Sequence, residues 1–296
     1  MLKSHSHQPN SRSNRGYTVV VTIVLACGAA ILLYTHGVWW WYAPLAMVGI
    51  IIAHIAVIGG LTFAAARANR MRHGHEDIQS QESTGILLHN PRLYDIEARL
   101  CTLGQEKKLR QWTLELANLH VGNKVLDVGC GTGALLLTAA ERVGDTGSLH
   151  GIEPSAEMRA HAQHKARSQG IAMEVVDGSA DNIPYPSDSF DVVFCTLAFH
   201  HLPRSVRQDA IREMRRVLRP GGVAVIVDWQ RPTSFLRALA SPLFLVYLLH
   251  SLGPRDAQLD VAGISSQLKE LGFEDVARHS FGPGGAVGAI VGHLAS

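Results

Sequence analysis

At 296 residues, 47% of them hydrophobic and 18% charged, the chain is long enough for one full domain with added parts. Its formal net charge of +2 offers no global attraction to nucleic acid. Four cysteines without paired spacing (Cys27, Cys101, Cys130 and Cys195) argue against a disulfide framework and for a reducing compartment.

Charge is spread unevenly along the chain. Residues 1–75 hold six Lys/Arg and no Asp/Glu, which leaves 21 basic and 25 acidic residues for the remainder. Residues 1–16 are polar, rich in Ser, His and Asn, and read as disordered. Tyr17–Tyr34 is a run of 18 residues without a charge, and Trp39–Ala66 is a second and longer one. Each is about as long as a hydrocarbon core requires. The cluster Trp39, Trp40, Trp41 and Tyr42 suits a membrane–water interface. Only a short THGV turn separates the runs, so 17–66 is predicted to be a transmembrane helical hairpin. Arg12 and Arg15 flank one end, and Arg67, Arg70 and Arg72 flank the other. The positive-inside rule then puts both ends, and the domain that follows, on the cytoplasmic side. Two blander readings compete: a cleaved signal peptide over the first run, or a pair of buried soluble helices. Residues 67–86 read as a polar linker; His73 and His75, two residues apart with no further ligand, do not make a metal site.

From 87 to 296 short β-rich runs alternate with helical stretches. The apolar spacing predicts a helix over Pro91–Leu119, then strand Lys124–Val128 and helix Gly133–Arg142. Strand Ser148–Glu153, helix Ser155–Ser168, and strands Met173–Asp177 and Phe190–Thr196 follow. Helix Ser205–Leu218 stops at Pro220-Gly221-Gly222, and strand Val223–Asp228 comes next. This alternation implies a parallel sheet covered on both faces. After helix Ile264–Leu271, the runs Phe273–Phe281 and Val287–Leu294 are joined by a short Gly/Pro loop. A parallel pair would need a long crossover, so this is an antiparallel hairpin.

The densest chemical signal is Val125–Gly133, VLDVGCGTG, with Glu153 ending the next apolar run. A strand, a glycine turn opening a helix and an acid at the end of the following strand is a nucleoside-binding arrangement. The glycines let backbone N–H groups approach a ligand, and Glu153 can accept bonds from two ribose hydroxyls. Asp127 lies within an otherwise apolar strand, where an acid needs a reason. Cys130 reads as a small turn residue, since no base accompanies it. His200 and His201 follow the fourth strand at the open carboxyl edge, where one of them can orient or deprotonate an acceptor hydroxyl or simply pack there. Asp228 and Trp229 end the fifth strand and could line the acceptor site. Residues 235–252 are apolar but interrupted by Arg237 and Pro242; they read as a helical cover over that pocket that also touches the membrane surface, with a core-packing helix as the alternative.

Taken in order, Val125–Gly133, Glu153, GSADNIPYPSDSFDVV, LAFHHL and MRRVLRPGG resemble class I S-adenosylmethionine-dependent methyltransferases, in particular the ubiquinone/menaquinone-biosynthesis-like group. The likeness runs over about 87–294 and leaves out the hairpin. It implies an α/β fold with a doubly wound, mostly parallel seven-stranded sheet ending in the antiparallel hairpin. It also implies S-adenosylmethionine as cofactor. Asp127, Gly129, Gly131 and Gly133 would then line its methionine portion, and Glu153 would hold the ribose. Ser179 and Ala180 would meet the adenine, with Pro154 and Ser155 beside it. Thr196 and Leu197 would face the sulfonium, and Tyr94 would close over the site. The family commonly has Asp where Ser179 stands; a serine is a weaker neutral partner, or Asp177 or Asp181 takes the role.

The expectation is therefore a membrane-anchored methyltransferase with His201 or His200 as its base and a lipophilic acceptor such as a quinone precursor, a prenylated phenol or a lipid. A non-catalytic membrane protein with a cofactor-binding domain is the alternative. A nicotinamide oxidoreductase fits poorly, because the loop is GCGTG and not G-x-G-x-x-G.

Overall fold

The structure is a computed structural model that describes residues 90–101, 104–238, 247 and 261–296. All of these lie in the second of the chain's two units, Ala65–Ser296. The segments expected to form a disordered front (1–16), a transmembrane hairpin (17–66) and a linker (67–86) lie outside the described residues. Among the described residues, no helix is long and apolar enough to cross a membrane.

Two helices lead, α1 (Pro91–Cys101) and α2 (Gln105–Leu116). The periodicity predicted one helix here. Gly104 breaks it by taking φ 78°, a left-handed conformation that cannot continue a right-handed helix. The chain continues with β1 (Lys124–Val128), α3 (Ala134–Val143), β2 (Ser148–Ile152), α4 (Ala156–Ser168), β3 (Glu174–Val176) and β4 (Phe190–Thr196). A 3₁₀ turn at Phe199–His201 leads to α5 (Arg204–Val217), β5 (Leu218–Trp229), α6 (Phe235–Ala238), α7 (Val261–Glu270), β6 (Phe273–Phe281) and β7 (Val287–Leu294).

The strands form one seven-stranded sheet in the order β3-β2-β1-β4-β5-β7-β6. β1 to β5 pair in parallel, and β7 runs antiparallel to both β5 and β6. The predicted terminal hairpin is thus present. β5 begins at Leu218, not Val223. The Pro-Gly-Gly stretch does end α5, but Leu218 already pairs with Phe190, and the register shifts before Val192 meets Val223. Residues 219–222 therefore bulge within the strand. A Cβ on Gly222 would lie 2.8 Å from the Arg219 carbonyl and 3.0 Å from that of Asp191, so no larger residue fits the bulge.

Strand alternation builds two cores, one on each face of the sheet. Val125, Val192, Phe194, Val225 and Val227 meet Leu114 of α2 and Leu136 and Ala139 of α3. Leu126, Val193, Cys195 and Ile226 meet Ile211 and Met214 of α5 and Leu268 of α7. Asp127 shares the parity of Val125, so this acid sits at the α1–α3 side of the carboxyl edge.

The segment after β5 docks on the loop of the terminal hairpin. The Gln230 amide donates to Ser280 Oγ at 2.8 Å and to the Gly285 carbonyl at 3.0 Å, and the Thr233 N–H donates to Gly284 O at 2.9 Å. Of the apolar stretch 235–252, the described part is α6 and Tyr247, which is buried in the same core as Trp229 and Val287. The remainder of the expected cover lies outside the described residues.

Candidate active site

β1 has β2 on one side and β4 on the other, so the direction of winding reverses between β1 and β4. Ligands of open α/β sheets bind at the carboxyl ends of the strands at such a point. The glycine loop leaves β1 there. Gly129, Gly131 and Gly133 take φ 71°, 54° and 71°, all in the left-handed region where a side chain is strained. A Cβ on Gly129 would lie 2.8 Å from Ala198 Cβ, so the loops after β1 and β4 touch. A Cβ on Gly131 would meet nothing within 4 Å: that edge of the loop is open.

Glu153, 8% exposed, ties the loop to the next helix. Its Oε2 accepts the Gly131 N–H and its Oε1 accepts the Ser155 N–H, each at 3.0 Å. Ser155 caps α4, its side chain accepting from the Met158 N–H. Arg159 Nη1 donates to the Glu153 and Pro154 carbonyls at 2.6 and 2.8 Å and to Asp177 at 2.7 Å, which holds the β2–α4 turn in place. Burial raises the Glu153 carboxyl above its ordinary range, against the pull of the two N–H bonds.

Asp127 is 3% exposed, and its buried Oδ1 has no hydrogen-bond partner. Burial first, and the Glu153 charge second, push this carboxyl well above the usual range. An orphaned buried oxygen costs free energy until a donor reaches it. Beside the open edge of Gly131, a ligand group can supply that donor. Thr196, at the end of β4, likewise has a buried Oγ1 without a partner.

α1 brings Tyr94 against these acids. Burial, then the charges of Asp95 and Glu153, push its phenol up to about 12. Asp95 fastens the helix. Its Oδ1 accepts the Thr132 hydroxyl at 2.7 Å, and its Oδ2 meets Lys165 Nζ at 2.9 Å and His161 Nε2 at 3.3 Å. Burial opposes these bonds, yet the Asp95 carboxyl still ends below its usual range. The sequence reading missed this cluster. The one available signal was a threonine, of all the loop residues, among the glycines.

Past β3, the Ser179 hydroxyl donates to Asp181, and Ser179 pairs with Asn182 in an isolated antiparallel bridge. Asp177 turns to Arg159, so of the two acids considered beside Ser179 it is Asp181 that stays with it. Ala180 is buried against Ile183 and Phe190.

At the end of β4, Leu197 takes φ 52°, a strained conformation for a bulky residue, and its N–H donates to the Val227 carbonyl at 2.8 Å. His200 and His201 follow, their ring centroids 3.9 Å apart. Asp228 does not line an acceptor surface, as the sequence suggested it could. It is 0% exposed and turned inward. Its Oδ2 accepts the His200 backbone N–H and its Oδ1 lies at His200 Nδ1, both at 2.7 Å. Cys130 and Cys195 are buried, which pushes both thiols well above their ordinary range and leaves neither as a nucleophile.

A mixed seven-stranded sheet with a reversed seventh strand, a left-handed glycine loop after β1 and an acid at the end of β2 define a nucleoside-binding transferase fold. A methyltransferase-domain family model matches residues 125–222. The chain is 29% identical over 227 residues to a ubiquinone/menaquinone biosynthesis C-methyltransferase of Pseudomonas fluorescens, covering 70% of this chain and 87% of that one. It is 31% identical over 160 residues to a demethylmenaquinone methyltransferase of Bacillus licheniformis, covering 53% and 68%. An S-adenosylmethionine-dependent methyltransferase from Aquifex aeolicus shares the fold with a TM-score of 0.51 at 22% identity, covering 69% of this chain and 98% of that one. The chain belongs to the class I S-adenosylmethionine-dependent methyltransferases and is related to the C-methyltransferases of quinone biosynthesis. Its methyl donor is S-adenosylmethionine.

Proposed function

We propose that this enzyme is anchored in a membrane by the hairpin at 17–66, with its 87–296 domain on the cytoplasmic side, and that it methylates a carbon of a lipophilic quinol-type acceptor. The observation that carries the proposal is the pair of buried carboxyls, Asp127 and Glu153, beside the open edge of Gly131. The orphaned Asp127 oxygen suits the ammonium of a methionine moiety, and Glu153 suits ribose hydroxyls. Gly129, Gly131 and Gly133 would line the chain between them. Ser179, Ala180 and Pro154 would enclose the adenine, with Asp181 assisting Ser179. Thr196 and Leu197 would border the reacting centre, and Tyr94 would cover it from α1.

S-adenosylmethionine supplies an electrophilic methyl on a sulfonium. The protein holds the acceptor carbon in line with it, and that positioning alone can provide several kcal/mol, up to about 7–11 kcal/mol in well-oriented systems. As the new carbon–carbon bond forms and the carbon–sulfur bond breaks, the acceptor loses a proton. One histidine of the pair His200/His201 takes it. Two features support a lipophilic acceptor: the names of the two relatives described above, and the apolar runs at 17–34 and 39–66.

The test is calorimetric titration of S-adenosylhomocysteine into the detergent-solubilised full chain, followed by methyl transfer to a prenylated 1,4-naphthoquinol with one unsubstituted ring carbon. Micromolar binding and a mass increase of one methyl group on that carbon are expected. Binding with no transfer to this quinol would remove the quinol reading, and no binding would remove the site assignment.

A further inference from the structure

We propose that Asp228 is the positioning residue for His200, and that it selects His200 over His201 as the base that accepts the acceptor's proton. This rests on the proposed methyl transfer to a quinol-type acceptor. Thr196 pairs with Val227 across β4 and β5, so the next residues along, Leu197 just past the end of β4 and Asp228 still within β5, lie side by side. From there the 3₁₀ turn at Phe199–His201 folds back over the end of β5. Asp228 is fully buried, yet both its oxygens are occupied. Oδ2 accepts the His200 N–H at 2.7 Å, and Oδ1 accepts the Trp229 N–H and meets His200 Nδ1, each at 2.7 Å. The turn is held a second time by Arg207, whose Nε donates to the Leu202 carbonyl at 3.0 Å.

Burial raises the Asp228 carboxyl, but the charge and hydrogen bonds of His200 and the two N–H bonds outweigh it and hold the group below its usual range. Asp228 is therefore a carboxylate, and a carboxylate only accepts. The proton between the two groups belongs to His200 Nδ1, so whenever the ring is neutral its lone pair is on Nε2. That tautomer can receive a proton at Nε2. The imidazolium formed would lie 2.7 Å from a buried negative charge that already faces it. The balance is complete: the carbon–carbon bond forms as the carbon–sulfur bond breaks, S-adenosylhomocysteine leaves, the proton displaced from the ring carbon ends on Nε2, and Asp228 remains ionised throughout.

Asp228 has a competing role as a purely structural brace for the turn, through the His200 backbone N–H. Asp228→Asn separates the two. An asparagine keeps one acceptor for the backbone, but its NH₂ would face Nδ1 and drive the proton to Nε2. In hydrolase triads the same exchange lowers kcat by about 10⁴ through the wrong tautomer.

The experiment uses the full chain in detergent with ¹⁵N-labelled histidine, with the His200 signals assigned by their loss in His200→Gln. Long-range ¹H–¹⁵N spectra are expected to show a protonated Nδ1 and a lone-pair Nε2 in the native protein, and the reverse in Asp228→Asn. In single turnovers on the prenylated naphthoquinol, Asp228→Asn should lose about 10- to 100-fold in rate with little change in KM for the donor. Added to His200→Ala, it should cost nothing further. An unprotonated Nδ1 in the native protein would overturn the inference, as would an equal loss from Asp228→Asn in the His200→Ala background, or a full rate in His200→Ala. If the native enzyme leaves the quinol unmethylated, the acceptor reading fails, while the tautomer measurement still decides what Asp228 does.

Discussion

At the scale of single residues, two acids do opposite things to the protein. Glu153 accepts backbone N–H groups before any ligand arrives, and its exchange removes both the proposed ribose acceptor and the brace on the glycine loop. Hydrogen bonds to a charged group contribute about 1.5–3 kcal/mol each. Glu153→Ala should therefore weaken S-adenosylhomocysteine binding by about 10- to 100-fold, and calorimetry measures it directly. Asp127 is buried without a full set of partners and destabilises the ligand-free protein when charged. Its folded-state pKa lies above the unfolded one. The folded state therefore binds the extra proton: the protonated form's advantage is complete below the unfolded pKa and is lost as pH rises through the folded pKa. Asp127→Asn should then raise Tm by roughly 2–4 °C at pH 8, with the gain vanishing in acid, while weakening cofactor binding. A lower Tm at pH 8 would contradict the account of Asp127 as a strained, ligand-directed acid.

At the scale of elements, α1 is fastened by polar contacts. It is set off from α2 by the left-handed Gly104 and joined to the glycine loop and α4 through Asp95. With Thr132, Lys165 and His161 all directed at one carboxylate, Asp95→Ala should free the helix that carries Tyr94. Faster amide exchange confined to α1, and about a 2- to 10-fold loss of S-adenosylhomocysteine affinity, are the expected outcomes. Unchanged exchange in α1 would show that apolar packing alone holds it. Because the Asp95 pKa is lowered, its contribution is present above the unfolded value and is lost as pH falls through the folded one. The fastening should therefore loosen in acid. α5 and β5 show an element boundary of a different kind. Local turn chemistry placed the end of the helix correctly, but the strand partner Phe190 captures Leu218 at once and turns Pro-Gly-Gly into a bulge.

At the scale of the whole molecule, the proposed anchor and the proposed site occupy separate stretches of the chain. Every site residue from Tyr94 to Asp228 belongs to the described domain, and the two apolar runs lie ahead of it. A chain running from Asp77 to Ser296 should bind S-adenosylhomocysteine within about twofold of the full chain, since no proposed ligand contact is removed. It should also fail to float with lipid vesicles that carry the full chain. Flotation of the shortened protein would move membrane attachment from 17–66 to the domain itself, with 235–252 the first segment to examine.

Short-range physics accounts for what the sequence by itself determined. β1, β4, β6 and β7 lie at their predicted residues, because alternation and turn residues are local signals. The glycine loop and Glu153 were legible for the same reason: a strand, a tight turn and the next strand's end carry the whole motif within one βαβ unit. Pairings between side chains far apart in the chain were not legible. Asp228 and His200 are 28 residues apart, and Asp95 and Lys165 are 70 apart. Nothing in either neighbourhood specifies its partner. Strand order places β5 beside β4, their register aligns Thr196 with Val227, and the packing of α1 against α4 brings Asp95 to Lys165. These juxtapositions arise only once the sheet has closed its two cores, so the tertiary structure alone decided which acid orients a histidine and which fastens a helix.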